Sequence, residues 1–180
     1  MSPQTEIVWG GHHVRSHHLE LEINHLITHI SRNWGEIRAE EIYTGCFTSD
    51  REPFNEPLDF STVINYQPVE RSMRGRLVRQ ASIMTSYGCP FSCRFCINAV
   101  QDKQVIYRDL KSVVKEINQV LSMGANSIAF YDELFFVKNR VADLLEQLDV
   151  SFPWLALARI NSPLKDLSYY RAKGCEEIHF

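Results

Sequence analysis

Cys89, Cys93 and Cys96 fall within eight residues of one another in the stretch "GCPFSCRFC". Their spacing is C-x3-C-x2-C, and the other two cysteines, Cys46 and Cys175, stand alone. Cysteine binds metal as the thiolate, and soft sulfur selects zinc, copper(I) or iron–sulfur clusters. Structural zinc usually takes four protein ligands, so zinc here would need a distant Cys46, Cys175 or histidine as the fourth. A three-cysteine catalytic zinc is a further option. Iron–sulfur clusters normally take four cysteines. A 4Fe-4S cluster held by only three leaves one iron open to a non-protein ligand, which suits a cluster that donates an electron to whatever binds there. Cys46 and Cys175, being isolated, are expected to be small buried hydrophobes.

The elements that must position the three thiols show in the pattern of the second half. "QASIMTS" (80–86) is a strand candidate leading straight into the cysteine loop. "DLKSVVKEINQVLSM" (109–123) is an amphipathic helix with Asp109 as its N-cap and Gly124 as its terminator. "SIAFYD" (127–132) reads as a strand, "NRVADLLEQL" (139–148) as a helix and "WLALAR" (154–159) as a strand. "PLKDLSYYRAK" (163–173) reads as a helix starting at Pro163, and "EEIHF" (176–180) as a strand. Alternation of this kind predicts an α/β fold with a parallel sheet of about four strands and helical crossovers. Ligands of such sheets sit at the C-terminal strand ends. The cysteine loop, Asp132-Glu133 and Arg159 all follow strands, so three separate segments deliver polar or metal-binding groups to one rim.

The first half is less regular. "TEIVW" (5–9) reads as a short buried strand, residues 19–31 as a helix, and "EEIYT" (40–44) as a strand ending at Gly45. Residues 53–79 read as an irregular linker, basic towards its end with Arg71, Arg74, Arg76 and Arg79 solvated. His25 and His29 would share one helical face, and His12, His13, His17 and His18 form a polar cluster. All of these histidines are expected at the surface. The 180 residues carry a net charge of −3, which gives no general case for nucleic acid or anionic membranes. No apolar run approaches the roughly 20 residues that span a bilayer. The start of the chain lacks the basic-then-apolar pattern of a secretory signal. An odd cysteine count without such a signal argues against a disulfide framework and for the cytoplasm.

"GCPFSCRFC" resembles the cluster loop of radical S-adenosylmethionine (radical SAM) enzymes, whose signature is C-x3-C-x-aromatic-C. Phe95 supplies the aromatic residue. "MTSYGCP" is similar to the family's "TSRGCP" opening, with Tyr87 where arginine is usual. "IAFYDELFF" resembles the second-strand motif "xxFxDDxF" of the branch that carries a cobalamin-binding domain, with Glu133 in place of aspartate. "WLALARINSPLKDLSYYRAKGCEEIHF" resembles "TRVDxxxxELLxxLxxAGCxxIxFG(V/I)ES", which matches Arg159 to the family arginine at the third strand end. "IVWGGHHVRS" is similar to the late strand "VVGGPHAT" of that branch's cobalamin-binding Rossmann domain.

The resemblance implies a partial radical SAM barrel at 80–180, a linker at 53–79, and the remnant of a Rossmann-like α/β domain at 1–52. It implies that Cys89, Cys93 and Cys96 each ligate one iron and that the fourth iron chelates S-adenosylmethionine. Reductive cleavage of that cofactor would give methionine and a 5′-deoxyadenosyl radical, used for methylation, cyclisation or rearrangement of a small-molecule substrate. Phe95, Asp132, Glu133 and Arg159 are the implied cofactor-binding residues, Arg159 through the cofactor carboxylate. A flavodoxin or ferredoxin would supply the electron. The motif D-x-H-x-x-G is absent, so cobalamin is implied for the parent branch rather than for direct binding by this chain. The family barrel usually has six βα units, so the four strands here imply a fragment with an open apolar edge strand and a missing half as partner. The readings from other classes are a non-catalytic zinc or iron–sulfur module and an inactive paralogue.

Overall fold

A computed structural model describes residues 5–11, 14, 26–31, 41–46, 67–99, 103–137, 140–148, 152–164 and 167–180. The chain divides into two compact units, Met1–Leu58 with Phe91–Asp102, and Asp59–Pro90 with Lys103–Phe180.

The second unit is a mixed α/β structure. Its elements are β3 (Val69–Met73), β4 (Arg76–Ile83), β5 (Ser86–Tyr87), β6 (Ile106–Tyr107), α1 (Leu110–Ser122), β7 (Ser127–Phe130), α2 (Arg140–Gln147), β8 (Trp154–Leu157), α3 (Leu167–Ala172) and β9 (Cys175–His179). The main sheet runs β3-β4-β7-β8-β9. β4, β7, β8 and β9 pair in parallel and β3 is antiparallel to β4. The expected four parallel strands with helical crossovers are therefore present. α1 starts as anticipated, with the Asp109 carboxylate accepting from Ser112 N at 3.0 Å. α3 starts later than expected: residues 163–164 precede it in irregular backbone, and 165–166 lie outside the described residues.

Strand residues alternate between two faces. Ala81, Ile83, Ile128, Phe130, Trp154 and Ala156 face the helices and meet Val113, Ile117 and Val120 of α1 and Val141, Leu144 and Leu145 of α2. Fully burying each large side chain contributes roughly 2 kcal/mol. Rings fix the middle of this layer: Phe130 stacks on Phe135 at 4.4 Å, and both meet Trp154 edge-on. On the other face Met73, Val78, Ala129 and Leu155 form a smaller apolar patch.

Residues 69–79, read from sequence as linker, form β3 and the first half of β4, which pair as an antiparallel hairpin. Arg74 (φ 46°) and Gly75 (φ 78°) make its two-residue turn, and two positive φ values in succession are what such hairpins require. Arg74, Arg76 and Arg79 are exposed as expected, Arg71 is half-buried, and three of the four also form ion pairs. Arg71 reaches Glu177 at 3.4 Å, while Arg76 and Arg74 reach Glu176 at 3.0 and 3.7 Å. A flat five-stranded sheet would hold its edge strands about 19 Å apart, so these pairs between β3–β4 and β9 mean the sheet is curled. The edge strands are polar rather than apolar as expected: β3 carries Glu70 and Arg71, and β9 carries Glu176, Glu177 and His179.

In the first unit, β1 (Val8–Trp9) and β2 (His29–Ile30) pair in parallel. β1 is not buried: Trp9 is 43% exposed. His29 lies in a strand rather than on the expected helix, and its imidazole stands 3.9 Å from Glu6. His12, His13, His17, His18 and His25 lie outside the described residues. Residues 41–43 are helical, not a strand. Cys46 N donates to Glu41 O at 3.0 Å and Gly45 N to Ile42 O at 3.3 Å, the paired bonds of a helix C-terminus that reverses at glycine. No helix among the described residues is long and apolar enough to cross a membrane.

Candidate functional site

The C-terminal end of β4 leads into a hydrogen-bonded knot. Asp132, two residues beyond β7, is fully buried. Its Oδ1 accepts from Thr85 N at 2.9 Å, Thr85 Oγ1 at 3.0 Å, Ser86 Oγ at 2.7 Å and also Ser86 N. Its Oδ2 meets no hydrogen-bond donor among the described residues. Burial pushes the Asp132 carboxyl above its ordinary range, and the bonds from Ser86 and Thr85 oppose that rise. Small hydroxyl residues at 85 and 86 each offer a backbone and a side-chain donor, so a two-residue segment satisfies one oxygen completely.

The carbonyl of Thr85 is held as well. It accepts from Arg108 N at 3.0 Å and from Arg140 Nη2 at 3.4 Å. Arg140 also donates to Arg108 O, and its guanidinium lies over the Tyr107 ring at 5.0 Å. Burial lowers the Arg140 pKa, and Asp132 is the first of the charges opposing the fall. Arg108, 1% exposed, donates to Met84 O at 2.6 Å and pairs with Glu116 of α1 at 2.7 Å. Sequence reasoning missed Arg108, Glu116 and Arg140. One signal was available: Glu116 falls within the apolar stripe of Val113, Ile117 and Val120, where an acid needs a buried cation.

Glu133 accepts from Gly88 N at 3.1 Å, directly before the first cysteine. Gly88 has φ +86°, and a Cβ there would stand 2.2 Å from the Gln104 carbonyl oxygen, so no other residue fits without moving the β6 approach. β5 and β6 pair through Ser86–Tyr107 and Tyr87–Ile106, which fixes both sides of this exit.

Cys89 is half-buried and belongs to the second unit; Cys93 and Cys96, also half-buried, are grouped with the first. Cys96 N donates to Cys93 O, and Ala99 N to Cys96 O, each at 3.0 Å, so a tight turn and a single 3-10 turn (Ile97–Ala99) carry the C-x2-C pair. All three are free thiols. Among the described residues no three His, Cys, Asp or Glu are gathered closely enough to hold a metal ion. By residue type alone, three cysteines are soft donors of the kind that zinc, copper(I) or iron–sulfur clusters take. Cys175 differs. It is buried as expected, and burial pushes its thiol up to about 12, which keeps it from acting as a thiolate. Cys46 is exposed, not the buried hydrophobe expected, because it follows a helix terminus at the surface.

The remaining sequence-predicted residues are placed as follows. Phe95 is 94% exposed, between Cys93 and Cys96. Arg159 is half-buried after β8, in a turn closed by Arg159 N to Ser162 Oγ at 2.9 Å and Ser162 N to Arg159 O at 2.8 Å. Ser162 thus serves that turn. The structure brings Asp132 and Glu133 together with the approach to the cysteine loop. The contacts described for both acids go to residues 85–88.

No family model matches the chain. Over 105 residues it is 30% identical to an uncharacterized methyltransferase of Pyrococcus horikoshii, a match covering 54% of this chain and 23% of the relative. Among solved structures it is similar to the radical S-adenosylmethionine methyltransferase TsrM from Kitasatospora setae, with cobalamin and a 4Fe-4S cluster bound. That likeness has 21% identity and a TM-score of 0.47, and covers 56% of this chain and 22% of the other. The chain thus spans less than a quarter of the length of either protein.

Proposed function

We propose that this chain carries the cluster site of a radical SAM methyltransferase. The observation behind the proposal is the set of three free, reachable thiols at C-x3-C-x2-C spacing after the first of four parallel strands. The methyltransferase relative supports methylation over cyclisation or rearrangement. Cys89, Cys93 and Cys96 would hold a 4Fe-4S cluster and leave S-adenosylmethionine as the fourth ligand. When bound, such a cluster supplies the single electron that cleaves the cofactor's sulfonium bond.

The chain's own residues bind and orient. The three thiols would lose their protons and hold iron as thiolates. Arg159 offers a guanidinium for the cofactor carboxylate, a pairing that Arg geometry favours. Glu133 and the exposed ring of Phe95 complete the proposed cofactor contacts. Asp132 holds Thr85 and Ser86 and so sets the strand exit from which these groups are presented. A small-molecule methyl acceptor and a flavodoxin- or ferredoxin-type electron donor belong to the proposal, and the chain is given no cobalamin of its own.

Anaerobic reconstitution with iron and sulfide tests the reading. The expected result is a brown protein with about four irons, whose reduced EPR signal shifts when S-adenosylmethionine is added. Replacing any of Cys89, Cys93 or Cys96 by alanine abolishes the signal, and Cys175→Ala leaves it. A colourless protein retaining stoichiometric zinc defeats the proposal.

A further inference from the structure

We infer that Glu133 is a positioning residue for Cys89: its carboxylate latches the Gly88 amide and so fixes the direction in which the first thiol leaves the sheet. The inference rests on the reading of Cys89 as a cluster ligand. Three observations within the second unit carry it. Glu133 Oε2 accepts from Gly88 N at 3.1 Å across 45 residues of sequence, so the bond ties the end of β7 to the end of β5. Gly88 cannot relax by an ordinary change of residue or backbone region, since φ is +86° and Gln104 O closes the space a Cβ would need. The segment just before it is already fixed, with Thr85 and Ser86 bonded to Asp132 and Ser86–Tyr87 paired with β6.

The Glu133 bond is therefore the last tie on the chain before Cys89. Upstream of it the bonds described for Thr85, Ser86 and Tyr87 lie within the sheet end. Downstream, the next backbone bond described is Cys96 N to Cys93 O. Asp132 and Glu133 divide the work. The buried acid secures the strand exit, and the half-buried one sets the residue adjoining the thiol. A carboxylate suits the second task because a charged acceptor bonds an amide about twice as strongly as a neutral one. An acid is consequently useful at 133 with or without a direct contact to the cofactor.

The test uses the full chain in metal-free, reduced form, so that it has a readout independent of turnover. Alkylation by iodoacetamide is followed separately at Cys89, Cys93 and Cys96 by peptide mass spectrometry. Glu133→Ala is expected to change the Cys89 rate about fivefold, as loss of one such bond implies, with Cys93 and Cys96 within twofold of wild type. Glu133→Gln keeps an acceptor oxygen and is expected to restore most of the wild-type rate. In the reconstituted protein, Glu133→Ala should lose iron to a chelator faster than wild type, and Glu133→Gln less so. Equal changes at all three cysteines, no change at Cys89, or no rescue by Gln would overturn the inference. Should Glu133→Ala fail to fold, hydrogen exchange of wild type decides: the Gly88 amide must exchange more slowly than that of Cys89, and equal rates overturn it. A wild-type chain that binds no iron sinks the cluster reading alone, since the alkylation result still stands or falls by itself.

Discussion

The two ends of the curled sheet solve the problem of charge in opposite ways. At the N-terminal strand ends Glu176 meets Arg171 at 2.6 Å, Arg76 at 3.0 Å and Arg74 at 3.7 Å. All three arginines are more than half exposed, and the one acid between them binds the β3–β4 hairpin and α3 to β9. At the C-terminal ends Asp132 is fully buried, with one oxygen saturated by Thr85 and Ser86 and the other without a donor among the described residues. The first arrangement is a surface stitch that water screens. The second takes a carboxylate out of water and spends its bonding on two residues. Exposed ion pairs are individually weak, whereas a buried carboxylate with partners is expensive to disturb. The difference teaches where this sheet buries charge: among the described residues, Asp132 and Arg108 are sunk at the C-terminal strand ends.

Removing each arrangement in turn should therefore give unequal effects. Asp132→Ala strips the acceptor from four donors at once and is expected to cost about 4 kcal/mol, read from urea unfolding. Asp132→Asn keeps one acceptor oxygen and should cost less than half as much. If Ala and Asn behave alike, the Oδ1 bonds are not what holds the strand exit. Gly88→Ala comes next, at about 3 kcal/mol, because the left-handed backbone and the Gln104 carbonyl both oppose a Cβ. A cost of only about 1 kcal/mol, the scale of the left-handed backbone alone, would show that the β6 approach moves aside.

Much of this end was legible in the sequence because it depends on periodicity. β7, α2 and β8 stand where apolar spacing and turn residues put them, and the strand-end residues Asp132, Glu133 and Arg159 follow from that placement. The partners of the acids were not legible. That Asp132 bonds Thr85 and Ser86, and Glu133 bonds Gly88, are facts of register between β4 and β7, and no local pattern encodes a tie across 45 residues. The hairpin at 69–79 was missed for a different reason. Its turn is Arg74-Gly75 rather than the usual Asn-Gly, and the arginines around it read as a solvated run. The segment 40–44 was misread because Gly45 ends a helix as readily as a strand, and only the bonds of Gly45 and Cys46 tell the two apart.

The smallest effect is also the sharpest test of the contrast, because the two acids should respond to pH with opposite signs. Burial raises the Asp132 pKa. The folded state then holds that proton more tightly than the unfolded chain, and the group's contribution is complete below the ordinary aspartate value of about 3.9 and lost as pH rises through the raised value. Glu176 is lowered, first by its hydrogen bond from Arg171 and then by the charges of Arg171, Arg76 and Arg74. Its contribution is complete above the ordinary glutamate value of about 4.3 and lost as pH falls through the depressed value. Urea midpoints of wild type, Asp132→Asn and Glu176→Gln from pH 7 down to pH 2 separate the two, because the Glu176 loss falls below its ordinary value. Relative to Asp132→Asn, wild type should gain stability as pH falls. Relative to Glu176→Gln it should hold a margin under about 1 kcal/mol, which shrinks towards the acid end. Added salt should flatten the second difference and leave the first, since screening reaches an exposed pair and not a buried carboxylate. Difference curves of the same slope would mean that the two ends do not treat charge differently after all.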